Sequence, residues 1–334
     1  METITVLINQ QAIGELFYEK KGHQYGFNYT KDISPVSLIM PFKKSTYLWQ
    51  NKLHPIFDMN MPEGYLFEIF KNFLSKEHGY IDDFLIFSYL SPNIQGRIHY
   101  RCKKNDSQAT HFDLDEVLRH DNKDTFTKIL NCFLNKNAIS GVQPKTLALL
   151  EDKASLVTKE YIIKTWGNEY PQLALNEYFC LKAVQKTGVK IPHIKLSNNN
   201  NFLLVERFNY NKQLKEYMGF EEVLVLQGKN KDEKYSGSYE SVAKLVYAVS
   251  TDKQACMVSL YKIIVMNYLL KNGDAHLKNF AIIYDQDIAH IRLSPAYDIV
   301  NTSVYIYNDR PALTLFGKKI WFNVAILNRT HNLK

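Results

Sequence analysis

No CxxC pair occurs in this chain of 334 residues, and its four cysteines, Cys102, Cys132, Cys180 and Cys256, are far apart. That spacing suggests neither a zinc site nor a disulfide framework, so a reducing cytoplasm is the expected compartment. No run reaches the ~18 apolar residues of a membrane-spanning helix. The opening METITVLINQQ lacks a basic region followed by an apolar core and a cleavage site. C₂H₂, RRM and basic-zipper patterns are missing, as are a Walker A loop and a G-x-G-x-x-G loop. Glycine (14) and proline (10) are sparse and charged residues make up only 22%, which argues against wholesale disorder. The formal charge of +7 permits an anionic partner but identifies none, because the lysines are scattered rather than striped.

What is present is a hydrophobic content of 46%, enough for two modest domains or one two-lobed one. Thr3–Ile8 alternates as a strand, and a turn at Gln10–Gln11 leads into Ala12–Tyr18, which together predict a β-hairpin. Gln24–Tyr29 reads as a third strand and Val36–Pro41 as a fourth. Gly64–Phe73 carries aromatics at Tyr65, Phe67, Phe70 and Phe73, as in a helix packed on the sheet. These elements predict a small α+β unit over residues 1–100. Residues 101–124 turn polar and charged, as in a linker. Residues 125–334 then form a second unit, with a first lobe over 125–210 and a second over 211–334. Thr125–Leu134 is expected to bridge into it as a short helix.

The second unit contains a series of parts in a telling order. Ala138–Leu150 places a glycine in a polar turn, suited to cradling phosphate with backbone N–H groups. Lys159–Trp166 reads as a strand carrying Lys164, and thirteen positions later Glu177 lies in a helix that ends near Gly188. A strand lysine paired with a glutamate on the following helix is how kinases orient the α- and β-phosphates. The apolar strand Phe202–Arg207 then leads to a point where a hinge would meet adenine. Leu260–Leu270 reads as a buried helix, followed by Asp274 and, five positions later, Asn279. Phe280–Tyr284 and Ile288–Leu293 read as short strands around a turn at Asp285–Asp287, and Asp298 comes after them. In D-x-x-x-x-N catalytic loops the aspartate accepts the proton of the acceptor hydroxyl, while the asparagine and a later aspartate hold Mg²⁺ against the triphosphate. Chance supplies about one such Asp–Asn pair in a chain of this size. The order of the parts therefore carries more than any single one.

The segments SGVQPKTLALL, YIIKTW, NEYFCLKAVQKTGV, FLLVERF, NGDAHLKNF and SPAYDIV together resemble the HipA-type serine/threonine kinase toxins of bacterial toxin–antitoxin systems. The first hundred residues resemble that family's small N-terminal subdomain, through the hairpin start, VSLIMP and FDMNMPEG. The likeness covers about residues 3–320. It implies an α/β (α+β), two-lobed protein-kinase-like fold with a small N-terminal α+β subdomain and a shortened helical C-lobe. It also implies use of ATP and Mg²⁺, a protein substrate such as an aminoacyl-tRNA synthetase, and a HipB-like antitoxin through which any DNA is met.

Position by position, the resemblance makes Asp274 the catalytic base and Asn279 and Asp298 the magnesium ligands, with Tyr297 beside the nucleotide. Lys164 would contact the phosphates, supported by Glu177. Ser140, Gly141, Val142, Gln143, Pro144 and Lys145 would form the phosphate-side loop, and Glu206, Arg207 and Phe208 the adenine hinge. His276, Leu277 and Lys278 fall in the nucleotide-contacting stretch, although a loop histidine such as His276 equally often ties down backbone. Gln227 matches a polar position before Lys234–Tyr235 and is given no role. Where the family often carries an autophosphorylated serine this chain has Ala138, which leaves Ser140 as the nearby hydroxyl for that modification. Two other readings stand beside the kinase: a catalytically silent binding or antitoxin protein on the same fold, and a small-molecule phosphotransferase.

Overall fold

The computed structural model describes residues 2–62, 64–79, 81–94, 96–102, 114–122, 124–128, 154–157, 161–165 and 169–321. The chain divides into two compact units, one of residues 1–174 and 194–219, the other of residues 175–193 and 220–334.

The first unit is built on two antiparallel sheets. Strands β1 (Glu2–Ile8), β2 (Gln11–Glu19), β3 (Gln24–Tyr29), β4 (Tyr47–Gln50) and β5 (Ile98–Arg101) form a sheet of order β4-β3-β2-β1-β5. The β1–β2 turn is Asn9–Gln10, both left-handed with φ of 50° and 62°, so the hairpin closes with the twist that two-residue turns prefer. Ile4, Val6 and Ile8 alternate into the core at 0% exposure, the period-2 signal that marks this strand in the sequence. Helices Gly64–His78 and Asp83–Leu90 supply Phe70, Phe84 and Phe87 to the same core. The short helix Pro55–Asp58 is capped by a buried histidine: His54 Nδ1 accepts from Ile56 N–H at 3.2 Å, and burial pushes its pKa down to about 3.

Val36–Pro41 is not the strand expected from its apolar run. It folds as a tight buried turn around Tyr29, whose hydroxyl accepts from Val36 N–H (2.9 Å) and donates to the Met40 carbonyl (2.6 Å). Met40 N–H closes the turn on Ser37 O, and the fourth strand of the sheet is β4 instead. Apolar content drives burial, but the backbone finds its partners in one side chain rather than in a ladder.

The second sheet of this unit has the order β6-β7-β9-β8, from β6 (Ala154–Val157), β7 (Tyr161–Thr165), β8 (Ile194–Leu196) and β9 (Leu203–Glu206). Its β8–β9 turn is clamped by Asp121, which is 2% exposed. The Asp121 carboxylate accepts from Ser197 Oγ (2.5 Å), Asn199 N–H (2.9 Å), Asn199 Nδ2 (2.7 Å) and Asn201 N–H (3.2 Å). Two-stranded β10 (Tyr210–Asn211) and β11 (Glu216–Tyr217) come next along the chain. Residues 124–128 are helical, starting one residue before the expected Thr125–Leu134 helix; the rest of that stretch lies outside the described residues, as does the whole of Ala138–Leu150.

The second unit contains the helix Leu173–Lys186 from Leu175 onward, the sheet β12-β13-β14, and the helices Tyr239–Val249 and Lys253–Leu269. Strands β12 (Gly219–Glu222), β13 (Ala281–Tyr284) and β14 (Ile291–Leu293) bracket the loop that carries Asp274. Gly188 ends the first helix in the left-handed region, at φ 83°. Helix Lys253–Leu269 starts at an Asp252 cap, whose carboxylate accepts from Ala255 N–H at 3.0 Å, and buries Leu260, Ile263, Ile264 and Tyr268. Asn267, also buried, lies near its C-terminal end.

Candidate active site

The polypeptide leaves helix Lys253–Leu269 and is caught at once. Asn272, 1% exposed, donates from its backbone N–H to Asn267 O (2.8 Å) and from its side-chain amide to Asn267 Oδ1 (2.9 Å). Its own Oδ1 accepts from Asp274 N–H at 3.2 Å. A second tie comes from Thr302, whose hydroxyl accepts from Gly273 N–H (2.6 Å) and donates to Asp309 Oδ2 (2.5 Å). Trp321 Nε1 in turn donates to the Asp309 carbonyl at 2.8 Å. Gly273 has no room for a side chain, because a Cβ there would overlap the Asp309 carboxylate.

Asp274 thus sits on a backbone held from two sides, with its side chain 40% exposed. Two residues on, His276 N–H is shared between Asp274 O (2.8 Å) and Asn279 Oδ1 (3.1 Å). The other end of the Asn279 side chain donates from Nδ2 to Asp298 Oδ2 at 2.7 Å. One amide therefore bolts the Asp274 loop to Asp298, 19 residues after Asn279. Asp298 has φ 56°, in the left-handed region that a non-glycine residue enters at a cost of about 1–2 kcal/mol. Such strain persists where the surroundings fix it, commonly at functional positions.

The walls of this cluster are aromatic and charged. Tyr235 OH donates to Asp274 Oδ1 at 2.8 Å, and its ring meets the His276 ring edge-on at 5.3 Å. His276 is 6% exposed, its Nε2 stands 4.0 Å from Asp274 Oδ1, and its buried Nδ1 has no hydrogen-bond partner among the described residues. Burial lowers the His276 pKa, partly opposed by the charge of Asp274. Tyr297 OH donates to Lys278 O (2.6 Å), and burial, then the charges of Glu222 and Asp298, hold that phenol well above its usual pKa. Lys278 Nζ lies 3.8 Å from Glu222 Oε1, with both side chains mostly covered.

The remaining predicted positions lie on the following elements. Lys164 lies in β7 of the first unit, opposite Ser155 and Leu203, and is 8% exposed. Glu177 is fully buried in helix Leu173–Lys186, in its second-unit portion. Glu206, Arg207 and Phe208 close β9 in the first unit: Glu206 pairs with Lys212 at 2.5 Å and the Arg207 guanidinium stacks 4.9 Å from the Tyr217 ring. Ala138 and Ser140 to Lys145 lie outside the described residues. Leu277 is buried, and its N–H donates to Lys234 O at 3.0 Å. Nothing in the sequence assigns a role to Tyr235, Asn272, Thr302 or Asp309. Tyr235 is 39 positions from Asp274, and no linear spacing connects the two.

The fold of this chain is similar to that of HipA from the toxin–antitoxin system of Shewanella oneidensis MR-1, a protein solved with HipB and its operator DNA. The two superpose with a TM-score of 0.72 at 16% identity, over 99% of this chain and 84% of that one. Residues 137–331 match the HipA-like C-terminal domain and residues 4–101 the HipA N-terminal domain. The chain belongs to the HipA-like family. It is 32% identical over 184 residues to a candidate kinase of Haemophilus influenzae, covering 50% of this chain and 53% of that protein. A candidate kinase of Sinorhizobium fredii is 26% identical over 204 residues, covering 54% of this chain and 49% of the relative. The chain thus spans about half the length of these curated relatives.

Proposed function

We propose that this protein is an ATP- and Mg²⁺-dependent serine/threonine protein kinase acting as the toxin of a toxin–antitoxin system. The observation that carries the reading is the Asn279 side chain, which accepts from His276 N–H and donates to Asp298, fixing the Asp274 loop and Asp298 as one construction. Membership of the HipA-like family and the kinase relatives support the same class.

Asp298 and Asn279 offer one carboxylate and one amide oxygen, a hard-oxygen set that suits a cation keeping several waters and bridging phosphates. They would hold Mg²⁺, which when bound neutralises phosphate charge. Asp274, partly exposed, takes the proton of the acceptor hydroxyl as that oxygen bonds to phosphorus. Lys164 would contact the phosphates, with Glu177 in support, and Ser140 to Lys145 would form the phosphate-side loop. Glu206 to Phe208 meet adenine, with Tyr297 and the His276–Lys278 stretch beside the nucleotide. The acceptor is a protein of the translation apparatus such as an aminoacyl-tRNA synthetase, and the partner a HipB-like antitoxin that brings any DNA contact. The work is cytoplasmic.

The test is γ-labelled ATP and Mg²⁺ with a bacterial lysate, followed by identification of the labelled protein and of the modified residue type. Label on serine or threonine of a discrete protein, reduced to a small residual rate by Asp274→Asn, is expected. Transfer at an undiminished rate by Asp274→Asn, or no transfer by the unchanged chain, refutes the reading.

A further inference from the structure

The segment between Asn230 and Ser238 is tied to the Asp274 loop at Lys234 and to residues 314–319 at Tyr235 and Gly237. Lys234 O accepts from Leu277 N–H at 3.0 Å, and Lys319 Nζ donates to Tyr235 O at 3.0 Å. Gly237 O accepts from Thr314 N–H at 3.1 Å, and Tyr239 N–H returns a bond to Thr314 O at 3.0 Å. With its backbone so anchored, Tyr235 reaches Asp274 Oδ1 with its hydroxyl while its ring meets buried His276 edge-on. His276 Nε2 in turn stands 4.0 Å from the same Oδ1. Both the Tyr235 hydroxyl and His276 Nε2 approach Oδ1 of that carboxylate.

We infer that Tyr235 is a positioning residue for phosphoryl transfer: it holds Asp274 Oδ1 so that Oδ2 is presented to the acceptor hydroxyl. The inference rests on the kinase reading given above. A carboxylate on a loop can rotate about its last torsion and present either oxygen at varying angles. The phenol removes that freedom, since it is a single donor with no second oxygen to offer. In the step itself the acceptor oxygen bonds to the γ-phosphorus, its proton passes to Asp274 Oδ2, and the bond to the departing ADP oxygen breaks. Tyr235 keeps its own proton throughout and touches neither reactant. Alignment of this kind acts on the rate of transfer and not on nucleotide binding.

The experiment compares the full chain with Tyr235→Phe, which keeps the ring on His276 and deletes only the hydroxyl. Release of labelled γ-phosphate to water and its transfer to casein are both followed, with Mg²⁺ present. Tyr235→Phe should lower kcat about tenfold, the scale of one hydrogen bond to a charged group. KM for ATP should stay within about twofold and Tm should not move. In the Asp274→Asn background the same change should lower the residual rate by less than about twofold, because the two residues then act through one group. An unchanged kcat, an equal loss in both backgrounds, or a loss accompanied by a falling Tm overturns the assignment. So does phosphate found on Tyr235 itself by peptide mass, which would make the phenol an acceptor. If the unchanged chain transfers no phosphate to either acceptor, the kinase reading falls together with this one. A chain that turns over equally well without the phenol refutes Tyr235 alone.

Discussion

Adding a single methyl group at Gly273 should unseat the loop that carries Asp274. An alanine Cβ there would stand within 2.5 Å of the Asp309 carboxyl carbon, so the carboxylate must move. It has little freedom to do so, because Thr302 Oγ1 holds it at 2.5 Å and Trp321 Nε1 fixes its backbone carbonyl. The alternative is for residue 273 to retreat, which breaks the bond from its own N–H to Thr302. Either adjustment is an overpacking of the kind that costs about 1–3 kcal/mol. It should appear as a fall of roughly a few degrees in Tm. The kinetic effect should be larger, since a shift of about 1 Å in a catalytic group can cost about a hundredfold in rate. Differential scanning fluorimetry and the casein assay measure both. The decisive arm is the cycle with Asp309→Ala: once the obstructing carboxylate is gone, Gly273→Ala should cost nothing further in stability. If the two losses add to within about 0.5 kcal/mol, the overlap with Asp309 is not what Gly273 avoids.

Asp298→Asn should lower turnover and Mg²⁺-dependent ATP affinity together, because it removes a full negative charge from a hard-cation site; calorimetry in which the unchanged chain binds ATP equally with and without Mg²⁺ would remove the metal role. Asp121→Ala should destabilise the first unit by about 3 kcal/mol, as it strands the donors of Ser197, Asn199 and Asn201. Burial alone would raise the Asp121 pKa, but those hydrogen bonds outweigh it and hold the carboxyl below its usual value. Its contribution should therefore be fully present above the ordinary aspartate range, near about pH 4, and be lost as pH falls through the lower folded value. Urea melts of both chains should converge in acid, and a difference that stays constant down to about pH 2 would contradict the assignment.

Much of this protein was legible as periodicity. Ile4, Val6 and Ile8 announce a strand because alternate side chains must share a face, and helix Lys253–Leu269 is marked by its apolar run. The spacing from Asp274 to Asn279 is equally local, since five positions on one loop need no distant partner to be recognised. Asp298 was legible as a residue type following a hairpin, but not its left-handed backbone, which the surrounding packing imposes. Val36–Pro41 shows the limit from the other side: its composition said buried and extended, yet the Tyr29 hydroxyl made a turn the better way to pair the backbone. Asp121 sits in a polar stretch that reads as linker, and it became a clamp only because a turn 76 to 80 residues later delivers its donors. The same holds for Tyr235 on Asp274 and for Asp309 behind Gly273. The sequence alone determined the opening hairpin, the buried helix before Asp274 and the residue types of the site, since these depend on neighbours along the chain. Tertiary structure decided which side chains hold that site in place, because those contacts exist only once separate loops have closed on one another.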